Sequence, residues 1–197
     1  MLNSQEAQRL VDLVTHAQNH EAAIAAAEQA FSFLVDQLHI LGESANGYPR
    51  NSIRADVWME GRSLTHAADS FADAVGQWNQ KQGEEQAARL AATMAMQIMA
   101  HYPEEIFPRI LRHAKCCESI GMKSEAIENY HCIVADFGLL NLEEILDSPE
   151  PFIDSETKIL TSMGEALTAL QRLSPQELAE TQLVLCERLN AVLRPEV

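Results

Sequence analysis

Apolar residues recur along this chain at steps of three and four, the period of an α-helix. Leu10, Leu13/Val14 and Ala17 mark one face of a first predicted helix, Ser4 to Gln18, and Asn3 with Glu6 reads as a capping box at its start. Ile24, Ala27, Phe31, Leu34, Leu38 and Leu41 form one stripe along a second, His20 to Leu41. The alanines beside that stripe let a neighbouring helix approach closely. Gly42 to Ser52 has the Gly, Pro, Asn and Ser content of a loop. A third helix is predicted from Ile53 to Asn79, with Leu64, Ala68, Phe71, Val75 and Trp78 inward, and the run Gln80–Gly83 ends it.

The second half continues the pattern. A fourth helix is predicted over Glu84 to Tyr102, closed by Pro103; a fifth over Glu105 to Ile120; a sixth over Ser124 to Phe137. A seventh region begins at Leu142, breaks at Ser148–Pro151 and resumes from Asp154 to Leu173. Ser174-Pro175-Gln176-Glu177 carries an N-cap, a proline at the first helical position and a glutamate at the third, and predicts a last helix from Gln176 to Leu193. No segment alternates with period two, so no strand is expected. The fold expected is all-α: about eight antiparallel helices, arranged as an α-α superhelix or a closed helical bundle. The chain is read as one domain over 1–197, with a subdivision into the long helices of 1–80 and a helical-hairpin region of 84–197.

The fifth and sixth helices resemble a tetratricopeptide helical hairpin. The register runs Ile110, His113-Ala114, Cys117, then Gly121, Ala126, Tyr130, Ile133 and Gly138, and SEAIENY (Ser124 to Tyr130) carries most of the likeness. Ala114 and Ala126 are the small residues of the helix crossing, Tyr130 the wedge beyond it, and Gly121 the turn. Ile110, His113, Cys117 and Gly138 depart from the family's aromatic, leucine, tyrosine and proline. The likeness covers Phe107 to Gly138, and no second copy follows at the family's period. The resemblance implies stacked helical pairs that bind a protein or peptide, with Leu111, Arg112, Lys115 and Glu118 on the inward face of the fifth helix.

Charge narrows the partner. The 197 residues carry 14 Lys+Arg against 29 Asp+Glu, a formal charge of −15. Phosphate backbones and anionic membranes select for basic surfaces, so neither nucleic acid nor membrane is expected as a partner, and a basic protein segment is. The opening MLNSQEAQRL lacks a basic start and an apolar run, and Cys116-Cys117, Cys132 and Cys186 make a poor disulfide framework. A cytoplasmic protein with reduced thiols is expected.

Catalytic signatures are few. There is no nucleophile elbow, phosphate-cradling glycine loop or dinucleotide fingerprint, so the leading expectation is a non-catalytic scaffold with no cofactor and no metal. The alternative is a metal-binding bundle or enzyme using His113, Cys117, Glu128 and His131. His113 and Cys117 are four apart on one helical face, and an antiparallel hairpin brings His113 level with His131-Cys132. Imidazole and thiolate together suit zinc or iron. Glu128-x-x-His131 has the spacing of di-iron carboxylate bundles, without the second motif such sites need. A third expectation is a homodimer through the alanine-rich face of Ala22 to Ala30.

Overall fold

The structure, a computed structural model, describes residues 1–45, 53–99, 102–136, 146–147, 152–178 and 180–193. They form eight α-helices and one 3-10 turn, with no strand among the described residues, so the all-α expectation holds. The chain divides into two compact units, Met1–Tyr102 and Pro103–Val197. The boundary lies between the fourth and fifth helices, past the Gln80–Gly83 run. The Gly138 register position, the restart at Leu142 and Pro149/Pro151 lie outside the described residues.

The first unit holds α1 (Ser4–Thr15), α2 (His20–Ala45), α3 (Ala55–Gln77) and α4 (Lys81–Ile98). α3 packs on α1, α2 and α4, and α2 also meets α1 and α4. Alanine lines the crossings: Ala23, Ala27 and Ala30 on α2, Ala68 and Ala72 on α3, and Ala88, Ala91 and Ala95 on α4 are buried. Leu34, Leu41, Leu64, Phe71 and Met94 fill the space between them. Gly61 marks a close approach, where a Cβ would stand 2.9 Å from Ile98 Cδ1 and 3.0 Å from Leu41 Cδ1.

The ends of these elements correct the sequence reading in places. α2 runs on through Gly42 to Ala45, where the loop was expected to begin. The run Gln80–Gly83 does not separate α3 from α4; Gln80 is the N-cap of α4, and Lys81 to Gly83 form its first turn. The reversal falls at Asn79, whose positive φ of 56° is one that Asn tolerates. α1 is capped as expected, with Asn3 Oδ1 accepting from the Glu6 amide at 3.0 Å. The reciprocal arm is absent, because the Glu6 carboxylate accepts from Arg9 instead (2.6 and 2.7 Å). The Asn3 amide donates to buried Gln37 at 2.7 Å.

The second unit holds α5 (Pro103–Ser119), α6 (Lys123–Asp136), α7 (Asp154–Leu173), a 3-10 turn (Pro175–Glu177) and α8 (Glu180–Leu193). Pro103 opens α5 rather than closing α4, which ends at Ile98. A proline in the first turn loses nothing, since its missing N–H would have no helical partner there. α5 and α6 form a hairpin, α7 packs against both, and α8 packs on α7.

The hairpin turn closes through two bonds, Met122 N–H to Cys117 O (2.9 Å) and Gly121 N–H to Glu118 O (3.1 Å). This pairing requires a left-handed residue after the helix, and Gly121 supplies it with φ +85°. Ala114 and Ala126 are fully buried, and Tyr130 is 1% exposed beside them.

The strong start signal at Ser174-Pro175 yields only the 3-10 turn, and α8 begins at Glu180. The Ser174 hydroxyl donates to the Glu177 carboxylate at 2.5 Å and caps no backbone amide. Glu177 also holds His131 Nε2 at 3.0 Å. The glutamate that a capping box would use is thereby drawn toward α6.

Candidate functional site

Two features of the second unit carry chemistry. The first is a groove of about 690 Å³ over α5, α6 and α7. Lys115 and Glu118 come from α5, Tyr130 from α6, and Thr157, Thr161, Gly164, Glu165, Thr168, Ala169 and Arg172 from α7. The α7 residues recur at helical spacing, so that helix turns a face of small and hydroxylated side chains to the groove. Thr157 and Thr168 spend their hydroxyl protons on carbonyls four residues back, Ile153 O (3.1 Å) and Gly164 O (2.8 Å).

Charge in the groove is paired across helices. Arg172 Nη2 spans both oxygens of Glu118, at 2.7 and 2.9 Å, and the Tyr130 hydroxyl donates to the same carboxylate at 3.2 Å. Lys115 Nζ pairs with Glu165. The Arg172 guanidinium holds the Glu118 carboxyl below its ordinary 4.5 against the opposing effect of burial, and the Tyr130 donation acts in the same direction. Burial, then the Glu118 charge, pushes the Tyr130 phenol well above its ordinary range. Tyr130 therefore stays protonated at any physiological pH and keeps its proton to donate to Glu118.

Of the four residues expected on the inward face of the fifth helix, Lys115 and Glu118 line the groove. Leu111 is buried and Arg112 half-buried, and neither is part of the lining. Arg172, Glu165 and the α7 face had no place in the sequence reading. The signal for them was present as Thr157, Thr161, Gly164 and Thr168, at steps of four, three and four.

The second feature is a set of metal-type donors. His113 Nε2 lies 3.3 Å from Cys117 Sγ, and both side chains are buried. The carboxylate that joins them is that of Glu125: the ligand atoms of His113, Cys117 and Glu125 all lie within 4.8 Å of one another. Glu128 and His131 are not among them. Glu128 is exposed, and His131 is turned toward Glu177. Cys132, the neighbour expected with His131, is also exposed. None of the four cysteines is in a disulfide, and Cys116 and Cys186 are buried. Glu125 escaped the sequence reading because a one-helix spacing pointed to Glu128, whereas the acid arrives from the first turn of α6, across the Gly121 reversal.

The first unit has its own groove of about 640 Å³, with Ile24, Phe31, Phe71 and Val75 among its walls. Trp78, expected inward, and Trp58 are both half-buried. Trp78 donates from Nε1 to Val14 O at 3.1 Å, and Trp58 lies against Tyr102 and under Arg62. Among the methionines, Met94, Met99 and Met163 are core, while Met96 and Met122 are exposed. No described helix is long and apolar enough to cross a membrane.

No protein-family model matches the sequence, and no match is found among curated proteins or solved structures.

Proposed function

We propose that the chain is a non-catalytic scaffold whose second unit binds a basic peptide segment in the groove over α5, α6 and α7. The observation that carries this reading is the lining: two carboxylates, Glu118 and Glu165, lie in an open groove and are held there by Arg172 and Lys115. A lysine or arginine of a partner takes the place of Lys115 at Glu165 without stripping a charge out of water, because both members of that pair are about half-exposed. The small α7 face leaves room for a backbone to lie close. Seventeen acidic residues against eight basic ones in residues 103–197 add a field that draws in such a partner. The tetratricopeptide-like stacking of the α5–α6 pair belongs to this proposal. So does a cytoplasmic setting, with which four cysteines outside any disulfide agree.

The probe is a fluorescent peptide of alternating lysine and leucine, followed by polarisation. The wild-type chain binds it, and affinity falls steeply as salt rises through the range where the screening length drops below about 10 Å. Glu165→Lys weakens binding several-fold at low salt and leaves the fold intact, because it removes only an exposed pair. Binding that ignores both salt and Glu165→Lys, or no binding at all, overturns the proposal.

A further inference from the structure

We propose that His113, Cys117 and Glu125 form a zinc site inside the α5–α6 hairpin. Three observations meet there. The donors are an imidazole, a thiol and a carboxylate, the set that zinc takes in proteins and that calcium and magnesium, which seek oxygen alone, do not. The two on α5 are one helical turn apart and already face each other, with 3.3 Å between Nε2 and Sγ. Zinc bonds of about 2.1 Å to nitrogen and about 2.3 Å to sulfur, at a tetrahedral angle, hold those two atoms about 3.6 Å apart. The pair is thus spaced for one ion with almost no movement. Glu125 completes the trio within 4.8 Å from a half-buried side chain, and a small torsional change brings its oxygen to bonding distance.

The location suits a cation as well as the distances do. Cys117 enters as thiolate, its proton passing to solvent, and the thiolate and carboxylate together cancel the charge of Zn²⁺ while His113 binds neutral. A neutral cluster is the form in which ionised groups tolerate burial. The frame is stiff: His113 and Cys117 belong to one continuous helix, and Glu125 is joined to them by the tight Gly121 closure.

The test uses the 197-residue chain, stripped with chelator and titrated with Co²⁺, then with Zn²⁺. One equivalent of Co²⁺ is expected to give intense tetrahedral d–d bands and a near-ultraviolet thiolate-to-cobalt charge-transfer band, both displaced by Zn²⁺. Cys117→Ser abolishes the charge-transfer band, and Cys132→Ser, which removes an exposed thiol, keeps it. Glu125→Gln, at a half-buried position that leaves the fold in place, lowers zinc affinity at least about tenfold. Zinc raises the melting temperature of the wild type and not that of Cys117→Ser. A charge-transfer band that survives Cys117→Ser overturns the site. So does a weak octahedral spectrum, or zinc affinity unchanged by Glu125→Gln.

Discussion

Glu118 shows how much one side chain organises in the second unit. It accepts from Tyr130 on α6 and from Arg172 on α7 while sitting on α5, so a single carboxylate ties three helices. Its folded acidity is greater than its unfolded acidity, for which 4.5 is the ordinary value. Such a group stabilises the fold fully above that value, and the stabilisation disappears as pH falls through the lower, folded value. Glu177 follows the same rule, its carboxyl lowered first by the Ser174 hydroxyl and then by His131. Thermal melts between pH 7 and pH 3 are therefore expected to show an acid-limb loss that is smaller in Glu118→Gln than in the wild type. The variant also melts lower at pH 7. Parallel acid limbs in the two proteins would show that the Arg172 pairing contributes nothing to folding.

Hydropathy identified single residues well where the contact is apolar and poorly where it is not. Leu64, Ala68, Phe71 and Val75 are all buried as their spacing predicted. Gln37 is buried too, because it satisfies the Asn3 amide, a bond between residues 34 apart that no local pattern encodes. Glu125 and Arg172 belong to the same class: their positions depend on which helix lies opposite.

Among elements, the α5–α6 hairpin is the part whose geometry followed most directly from the chain. Small residues at the crossing, a large ring beyond them and a glycine at the reversal each have a physical reason. Ala114 and Ala126 are both fully buried at the crossing of the two helices. Ala126→Trp is accordingly expected to cost at least about 3 kcal/mol through overpacking, read by chemical denaturation. A loss well under that would mean the crossing relaxes around the indole.

α2 is the instructive miss. Of the expected stripe, Ala27, Leu34 and Leu41 are buried, but Ile24, Phe31 and Leu38 are not, and Ala23, Ala30 and Gln37 complete the seam instead. Alanine lets backbones approach more closely than isoleucine or phenylalanine does. The helix therefore turns its small residues inward, and Ile24 and Phe31 become walls of the first unit's groove. A hydropathy stripe weights a residue by how apolar it is. A close crossing selects by how little room it takes. The same conflict between local and tertiary demand turned the Ser174-Pro175 start into a single 3-10 turn.

For the molecule as a whole, the alanine seam bears on self-association. Ala22 to Ala30 was the face expected to meet a second copy. Its central members, Ala23, Ala27 and Ala30, are consumed within the first unit, leaving Ala22 and Ala25 exposed. Two alanines offer too little area for a stable dimer, which buries on the order of 800 Å² per partner. Light scattering is expected to return the mass of one chain, 21.9 kDa, across a wide concentration range. Twice that mass would place the contact elsewhere, on a face that the alanine pattern does not mark.

Connectivity has a consequence for how quickly this chain finds its shape. In either unit, the described helices that pack extensively on one another are at most two elements apart along the chain. Each native contact thus closes a modest loop, and little entropy is lost before it is rewarded. Chains with such local wiring reach the native state in times on the order of microseconds to milliseconds. Neighbouring helices can thus pair within a unit before the rest of that unit has formed.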